Sequence, residues 1–226
     1  MSSESIVARI PLFAGMQPAD IARVAVRMRR RSFRQGDIIF HKGDPGTTLY
    51  LVEHGQIKIF TPSQEGREVV LSIFGPADFF GEMALFDDKP RSASAEAASP
   101  ATVLTLQRED FRQAIVQHPA MSIAVMAALV DRVRRADEMV EDAVFLDLPS
   151  RLAKKLLDLA ENHGVATPLG FEIRLRLTQQ DLADMVGATR ARVNEAITHF
   201  KERGVLTMTR HHLIIANPDE LRSRIY

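Results

Sequence analysis

Cysteine is absent from the 226 residues. That excludes disulfides, thiolate zinc sites, iron–sulfur clusters and thiol redox sensing. Long apolar runs are also missing. No stretch reaches the roughly 18 apolar residues a transmembrane helix needs, so no membrane partner is expected. The opening MSSESIVARIPLF has no basic segment followed by a long apolar run, which argues against a secretory leader. A cytoplasmic protein is the expectation. Net charge of either sign is lacking too, because 29 Lys+Arg balance 29 Asp+Glu. The balance hides a division: Pro149 to Tyr226 carries 12 basic against 9 acidic residues, leaving 17 against 20 before it. A mildly basic C-terminal third is compatible with DNA contact without establishing it. Finally, His41, His54 and His118 stand alone in sequence, with no His-x-His pair among them. A cupin-type metalloenzyme gathers its metal with clustered histidines and a carboxylate, so neither a metal nor an enzyme is expected. His211-His212 falls near the C-terminus, where a β-turn is expected.

What is present has ordinary globular composition, 46% hydrophobic and 26% charged. A short helix is predicted from Pro18, where Ala, Ile, Val and Ala recur at helical spacing. From about Arg31 to Leu106 the texture changes. Short apolar runs alternate with turns at Gly36, Gly43, Gly46, Gly55, Gly66, Gly75 and Gly81, which predicts a small β-barrel or sandwich. After Arg108 helical spacing returns, and a long helix is predicted from Pro119 to Phe145. Met126, Leu129, Val133, Ala136, Val140 and Ala143 are spaced 3, 4, 3, 4, 3, an a/d seam at heptad period. The seam fits packing on its own domain and fits a two-stranded coiled coil equally well. Asp147-Leu-Pro-Ser restarts a helix, with Asp147 as cap and Pro149 in the first turn. A hinge is placed near Phe145 to Asp147. His163 to Gly170 reads as a Gly/Pro loop, followed by a strand-like FEIRLRL.

Leu177 to Gly204 reads LTQQDLADMVGATRARVNEAITHFKERG. Thr178 caps a first helix with apolar Leu182, Ala183 and Val186. Gly187 sits where a tight turn needs positive φ. Thr189 caps a second helix whose Val193, Ile197 and Phe200 form a stripe, with Arg190, Arg192 and Asn194 off it. A helical hairpin would show the stripe alone. The Gly turn and the capped, arginine-rich second helix favour a helix-turn-helix that offers polar N-terminal residues to base edges.

Phe79 to Ala95 reads FFGEMALFDDKPRSASA. Backbone N–H groups near Gly81, Glu82 and Met83, with the Arg91 guanidinium and the Ser92 hydroxyl, suit one phosphate. The Glu82 carboxylate suits a sugar hydroxyl. The simpler reading pairs Arg91 with Asp87 or Asp88.

GEMALFDDKPRSASA resembles the phosphate-binding cassette of cyclic-nucleotide-binding domains, Gly-Glu-Leu, a short insert, then Arg-Ser/Thr-Ala. The order of parts resembles the cAMP receptor protein (CRP/FNR) family over nearly the whole chain. That resemblance implies an α+β protein with an N-terminal, cupin-like β-roll over residues 1–118, a dimerisation helix and hinge over 119–146, and a winged helix-turn-helix over 147–226. It implies a homodimeric regulator of transcription with cAMP as effector, an inverted-repeat double-stranded DNA operator, and RNA polymerase as a partner near 163–170. Glu82 would accept from the ribose 2′-hydroxyl. Arg91 and Ser92 would hold the cyclic phosphate, with backbone N–H groups around Gly81, Met83 and Ala93. Arg132, Ala136 and Asp137 on the long helix would approach the ligand. Arg190 would read guanine, and Thr178, Gln179, Thr189, Ala191, Arg192, Asn194, Glu195 and Lys201 would complete the DNA face.

The chain departs from the family's pattern at three places. Ala136 and Asp137 replace the Thr-Ser or Thr-Asn that read the adenine edge. Ala191 and Glu195 replace the Glu and the second Arg of the recognition helix, so an altered operator is expected. The oxygen-sensing branch's cluster is excluded by the missing cysteine. A stand-alone nucleotide-binding subunit leaves the C-terminal part unexplained. The alternative that remains is a ligand-independent regulator with an altered effector pocket.

Overall fold

A computed structural model describes residues 6–225 except 64–67, 174, 176 and 209–212. The chain divides into two compact units, residues 1–62 with 70–134, and 63–69 with 135–226.

In the first unit, the expected N-terminal helix is α1 (Pro18–Arg27), with proline in its first turn and Ile21, Val24 and Ala25 turned inward. The β-rich stretch forms β1 (Arg29–Phe33), β2 (Ile38–Phe40), β3 (Thr48–His54), β4 (Ile57–Pro62), β5 (Glu68–Phe74), β6 (Phe79–Phe80), β7 (Ser94–Ala97) and β8 (Ala101–Gln107). Two four-stranded sheets result, in the orders β1-β8-β3-β6 and β2-β7-β4-β5. Jumps between strands distant in sequence are what a roll requires. The antiparallel β3–β8 register pairs Leu49 with Leu106 and Leu51 with Leu104, all four fully buried. These side chains join Leu12, Phe13 and Phe111 in the larger core. A smaller core gathers Tyr50, Val52, Ile57, Phe80 and Val103.

The short helix α2 (Met83–Asp87) lies between β6 and β7. It is followed by Asp88 in left-handed conformation, φ 56°. Beyond β8 come α3 (Arg108–Gln117) and α4 (Ala120–Phe145). The inward face of α4 carries Met121, Val125, Ala128 and Leu129 against the larger core. The expected seam is divided: Met126, Val133, Ala136, Val140 and Ala143 are exposed, and Leu129 is partly buried. Leu129 is turned into its own domain, while Ile123, Val130 and Val144 are exposed together with Met126, Val133 and Val140. Spacing alone cannot decide which of two adjacent stripes faces inward. Among the described residues no single helix is long and apolar enough to cross a membrane.

In the second unit, α5 (Leu148–His163) starts on the Asp147 cap, whose carboxylate accepts from the Ser150 N–H at 2.9 Å. The expected 163–170 loop is a correction: β9 (Gly164–Thr167) and β10 (Gly170–Ile173) form a tight hairpin. Thr167 closes its turn, with its hydroxyl donating to the Gly170 carbonyl and accepting from the Leu169 N–H. The Gly/Pro signal marked the turn only, and Val165 and Thr167 take the extended arm. The strand expected over FEIRLRL is described as far as Ile173, since Arg174 and Arg176 lie outside the described residues. α6 (Gln179–Met185) and α7 (Arg190–Glu202) follow. Then come β11 (Leu206–Met208), β12 (Leu213–Ile215) and α8 (Pro218–Arg222), and the sheet order is β11-β12-β10-β9. The turn expected at His211-His212, like Gly66, lies outside the described residues.

Candidate effector and nucleic-acid sites

The β6 strand delivers Gly81 with φ +81°, a conformation open to glycine. A Cβ there would lie 2.6 Å from Nη1 of Arg91, so the position needs glycine for space as well. Arg91 is buried at 5% exposure. Its Nη1 donates to the Gly81 carbonyl at 2.6 Å and its Nη2 to the Thr48 carbonyl at 2.8 Å. The guanidinium lies 4.3 Å from the ring centroid of Phe40 and 5.6 Å from that of Tyr50. Tyr50 in turn stacks on Phe80 at 5.0 Å. Burial pulls the Arg91 pKa below its ordinary value, opposed by the nearby Tyr50 and Glu82. Arginine still remains a cation in proteins. Its Nε has no hydrogen-bond partner among the described residues.

Arg91 therefore does not pair with Asp87 or Asp88, as the simpler reading had it. Asp88 is taken by Arg108 and Arg112 from α3. Arg108 also donates to the Gly46 and Ala84 carbonyls, and Arg112 donates to the Leu85 carbonyl at 2.7 Å. Two cations thus fasten α2 and its turn to α3, leaving Arg91 to the interior.

Glu82, next to the Gly81 turn, is 1% exposed. One carboxylate oxygen accepts from Nη1 of Arg132 on α4, and the other has no partner among the described residues. Arg132 also donates to the Phe79 carbonyl at 2.6 Å and lies 4.8 Å from the Phe74 ring centroid. A buried carboxylate oxygen without a donor and a buried guanidinium with an unused N–H are costly unless something satisfies them. Together they suit a ligand with a hydroxyl and an anionic group.

Met83 and Ser92 are half-exposed to exposed, joined by a Ser92 hydroxyl contact to the Met83 sulfur at 3.6 Å. Ala93 is buried. Of the ligand residues expected from sequence, Gly81, Glu82, Met83, Arg91, Ser92, Ala93 and Arg132 all belong to the first unit. Ala136 and Asp137 lie further along α4, exposed, in the stretch assigned to the second unit. Sequence reading missed Thr48, Phe40 and Tyr50 around the guanidinium. Only the pairing of β3 with β6 and β8, and of β2 with β7, brings them there, and no local motif marks them.

In the second unit α6 and α7 pack through Leu182, Ala183, Val193 and Ile197, each fully buried. Thr178 caps α6 in a reciprocal box with Asp181, its backbone N–H donating to that carboxylate at 2.7 Å. Gly187 takes φ +63° in the turn. Thr189 caps α7. Arg190, Ala191, Arg192, Asn194, Glu195 and Lys201 are all exposed, off the buried stripe of Val193, Ile197 and Phe200. Gln179 donates to the Asn194 side-chain oxygen at 2.8 Å, joining the starts of the two helices. The result is a polar edge with two arginines in the first turn of α7, free to meet an acidic groove.

Family models match both parts of the chain. A cyclic nucleotide-binding domain family matches residues 30–118, and a Crp-like helix-turn-helix domain family matches 150–224. A CRP-like cAMP-activated global transcriptional regulator of Mycobacterium tuberculosis is 34% identical over 221 residues, 98% of this chain and 99% of that protein. A cyclic AMP receptor protein of Thermus thermophilus is 35% identical over 198 residues, 88% of each chain. Among solved structures, the c-di-GMP-responsive global regulator of Xanthomonas campestris superposes with a TM-score of 0.78 at 25% identity, covering 89% of this chain and all of that one.

Proposed function

Because this chain belongs to the CRP/FNR family of DNA-binding transcription regulators, we propose that it is a homodimeric member whose operator affinity is set by a cyclic nucleotide, with cAMP as the first candidate. The observation that carries the proposal is that two of the three buried side-chain atoms without a hydrogen-bond partner among the described residues, Oε2 of Glu82 and Nε of Arg91, fall in the cassette, the third being Nε of Arg108. A ribose hydroxyl and a cyclic phosphate are the chemistry that meets both. Glu82 accepts from the sugar. Arg91 and Ser92, with the backbone around Gly81, Met83 and Ala93, neutralise the phosphate, and Arg132 orients Glu82. Sugar and phosphate are common to all cyclic purine nucleotides, so the base must be chosen elsewhere. Ala136 offers no hydrogen bond, and ionised Asp137 only accepts, which suits an adenine amino group.

In this reading residues 1–118 supply the effector-binding roll, the 119–146 helix adds Arg132, Ala136 and Asp137 to it and joins two copies, and 147–226 read DNA. Arg190 reads guanine. Thr178, Gln179, Thr189, Ala191, Arg192, Asn194 and Glu195 complete the base-facing edge, and Lys201 holds phosphate. The operator is an inverted repeat, since two recognition helices related by two-fold symmetry meet two half-sites. RNA polymerase meets the hairpin at 163–170, in the cytoplasm.

A second reading is a regulator that needs no ligand. It is favoured by Ala136, which removes a base contact. A panel of cAMP, cGMP and c-di-GMP, added to ligand-stripped protein on a selected operator, tests both. A ligand shifts an equilibrium only by its differential affinity for the two states. Tighter operator binding with cAMP supports the first reading. Equal binding with and without saturating nucleotide supports the second.

A further inference from the structure

We infer that Met83 is a peroxide-sensitive modification site that turns effector binding down, because oxidation of its sulfur to the sulfoxide draws the Ser92 hydroxyl away from the cyclic phosphate. The inference rests on the cyclic-nucleotide reading proposed above and deepens it by adding a control on the same site.

The chain has nine methionines and no cysteine, so peroxide meets thioethers and no thiols. Among the described methionines, Met16, Met121 and Met185 are buried, and Met28, Met139 and Met208 are half-buried. Met83 and Met126 are the two with exposed side chains, at 48% and 55%. Met126 lies on α4, whereas Met83 is the first residue of α2 and sits beside the buried Glu82. Its sulfur accepts from the Ser92 hydroxyl at 3.6 Å, and Ser92 follows Arg91 directly. One of the two accessible thioethers therefore touches a hydroxyl assigned to the phosphate.

A thioether is a weak acceptor, so a phosphate oxygen takes the Ser92 hydroxyl from it readily. Oxidation changes that balance. A sulfur lone pair attacks one oxygen of hydrogen peroxide, the O–O bond breaks and an S–O bond forms. The sulfur loses two electrons, and the second peroxide oxygen leaves as water. The product is polar where the side chain was apolar, and its oxygen is a far stronger acceptor for the same hydroxyl. That oxygen also carries partial negative charge toward the place of an anionic phosphate. Because the Met83 side chain is exposed, the new dipole faces water and the core is spared. The buried methionines have no such outlet, and oxidation there disrupts packing. The change is reversible, since methionine sulfoxide reductases remove the oxygen with electrons from a thiol.

The test uses full-length protein stripped of nucleotide and treated with dilute hydrogen peroxide. Peptide mass spectrometry follows each methionine, circular dichroism follows folding, and calorimetry measures cAMP and cGMP affinity before and after treatment. Wild type, Met83→Leu, Met126→Leu and Ser92→Ala are compared, each against its own untreated sample. Met83 should oxidise ahead of the buried methionines, and wild type should then lose cyclic-nucleotide affinity by on the order of tenfold while staying folded. Met126→Leu should lose as much as wild type, Ser92→Ala less, and Met83→Leu should not respond to peroxide. Reductases of both sulfoxide epimers, with dithiothreitol, should restore the wild-type affinity. Untreated wild type that binds neither nucleotide overturns the effector reading, and this inference with it. Nucleotide affinity that survives full oxidation of Met83, an equal loss in Met83→Leu, or an equal loss in Ser92→Ala overturns the inference alone.

Discussion

Glu82 and Arg132, fifty residues apart, meet as an ion pair in which the glutamate side chain is buried and the arginine side chain keeps about a quarter of its surface. The pair ties the Gly81 turn to α4, and it explains how a fully buried acid is tolerated before any ligand arrives. Removing Arg132 leaves that acid without compensation. Arg132→Met should destabilise the first unit by on the order of 3 kcal/mol, and Glu82→Ala/Arg132→Met by less than Arg132→Met alone. Calorimetric unfolding of the single and double variants checks the cycle. Additive losses would show that the pair is not coupled.

Arg91 is the cation of the cassette and also a structural member, since it bridges the Thr48 and Gly81 carbonyls. Arg91→Leu should weaken cyclic-nucleotide binding at least tenfold, from hydrogen bonds to a charged group worth roughly 1.5–3 kcal/mol. Arg91→Lys, which keeps the charge but loses the fork, should recover only part of it. Titration calorimetry, with circular dichroism to confirm folding, measures both. Unchanged affinity in the folded variants would place the ligand elsewhere.

At the other site, Arg190→Ala should cost about 1–3 kcal/mol on the selected operator and relax specificity at one base pair. Lys201→Ala should weaken all sequences alike and lower the salt slope by about one unit. Binding to operator and random DNA across a salt series separates the two roles. Equal losses on both DNAs for Arg190→Ala would remove it from base readout.

Ala136→Thr tests base selection. A hydroxyl added beside Asp137 should tighten cAMP binding and widen its margin over cGMP. Competition between the two nucleotides on the purified variant provides the measurement, and an unchanged margin would mean that the base is chosen by other residues.

The start of α5 gives a pH-dependent prediction. Hydrogen bonds from Ser150 hold the Asp147 carboxyl below its ordinary range. A depressed folded-state pKa contributes stability above the unfolded value near 4, lost as pH falls through the folded value. Asp147→Ala should therefore cost about 1 kcal/mol at neutral pH and less at a pH where the carboxyl is protonated in both states. Unfolding of the variant against wild type at pH 7 and in acid checks the sign.

Much of this protein was legible in its sequence because the relevant physics is local. Capping by Thr178, Thr189 and Asp147, the turn at Gly187 and the stripe of Val193, Ile197 and Phe200 depend on neighbours within one or two helical turns. The cassette was legible for the same reason, since Gly81, Glu82 and Arg91 fall within one short stretch. What the sequence could not settle was decided by contacts between distant segments. Whether Arg91 pairs with Asp88 or enters the interior depends on Arg108 and Arg112 taking Asp88, and on Thr48, Phe40 and Tyr50 arriving from other strands. The 163–170 segment became a hairpin because β10 pairs with β9 on one side and β12 on the other, giving Val165 and Thr167 a sheet to join. The choice between two adjacent stripes on α4 was likewise open until the core claimed Leu129. Periodicity determines that a helix has an apolar face, but which face turns inward is set by the shape of the surface it packs against, and only the folded chain supplies that surface.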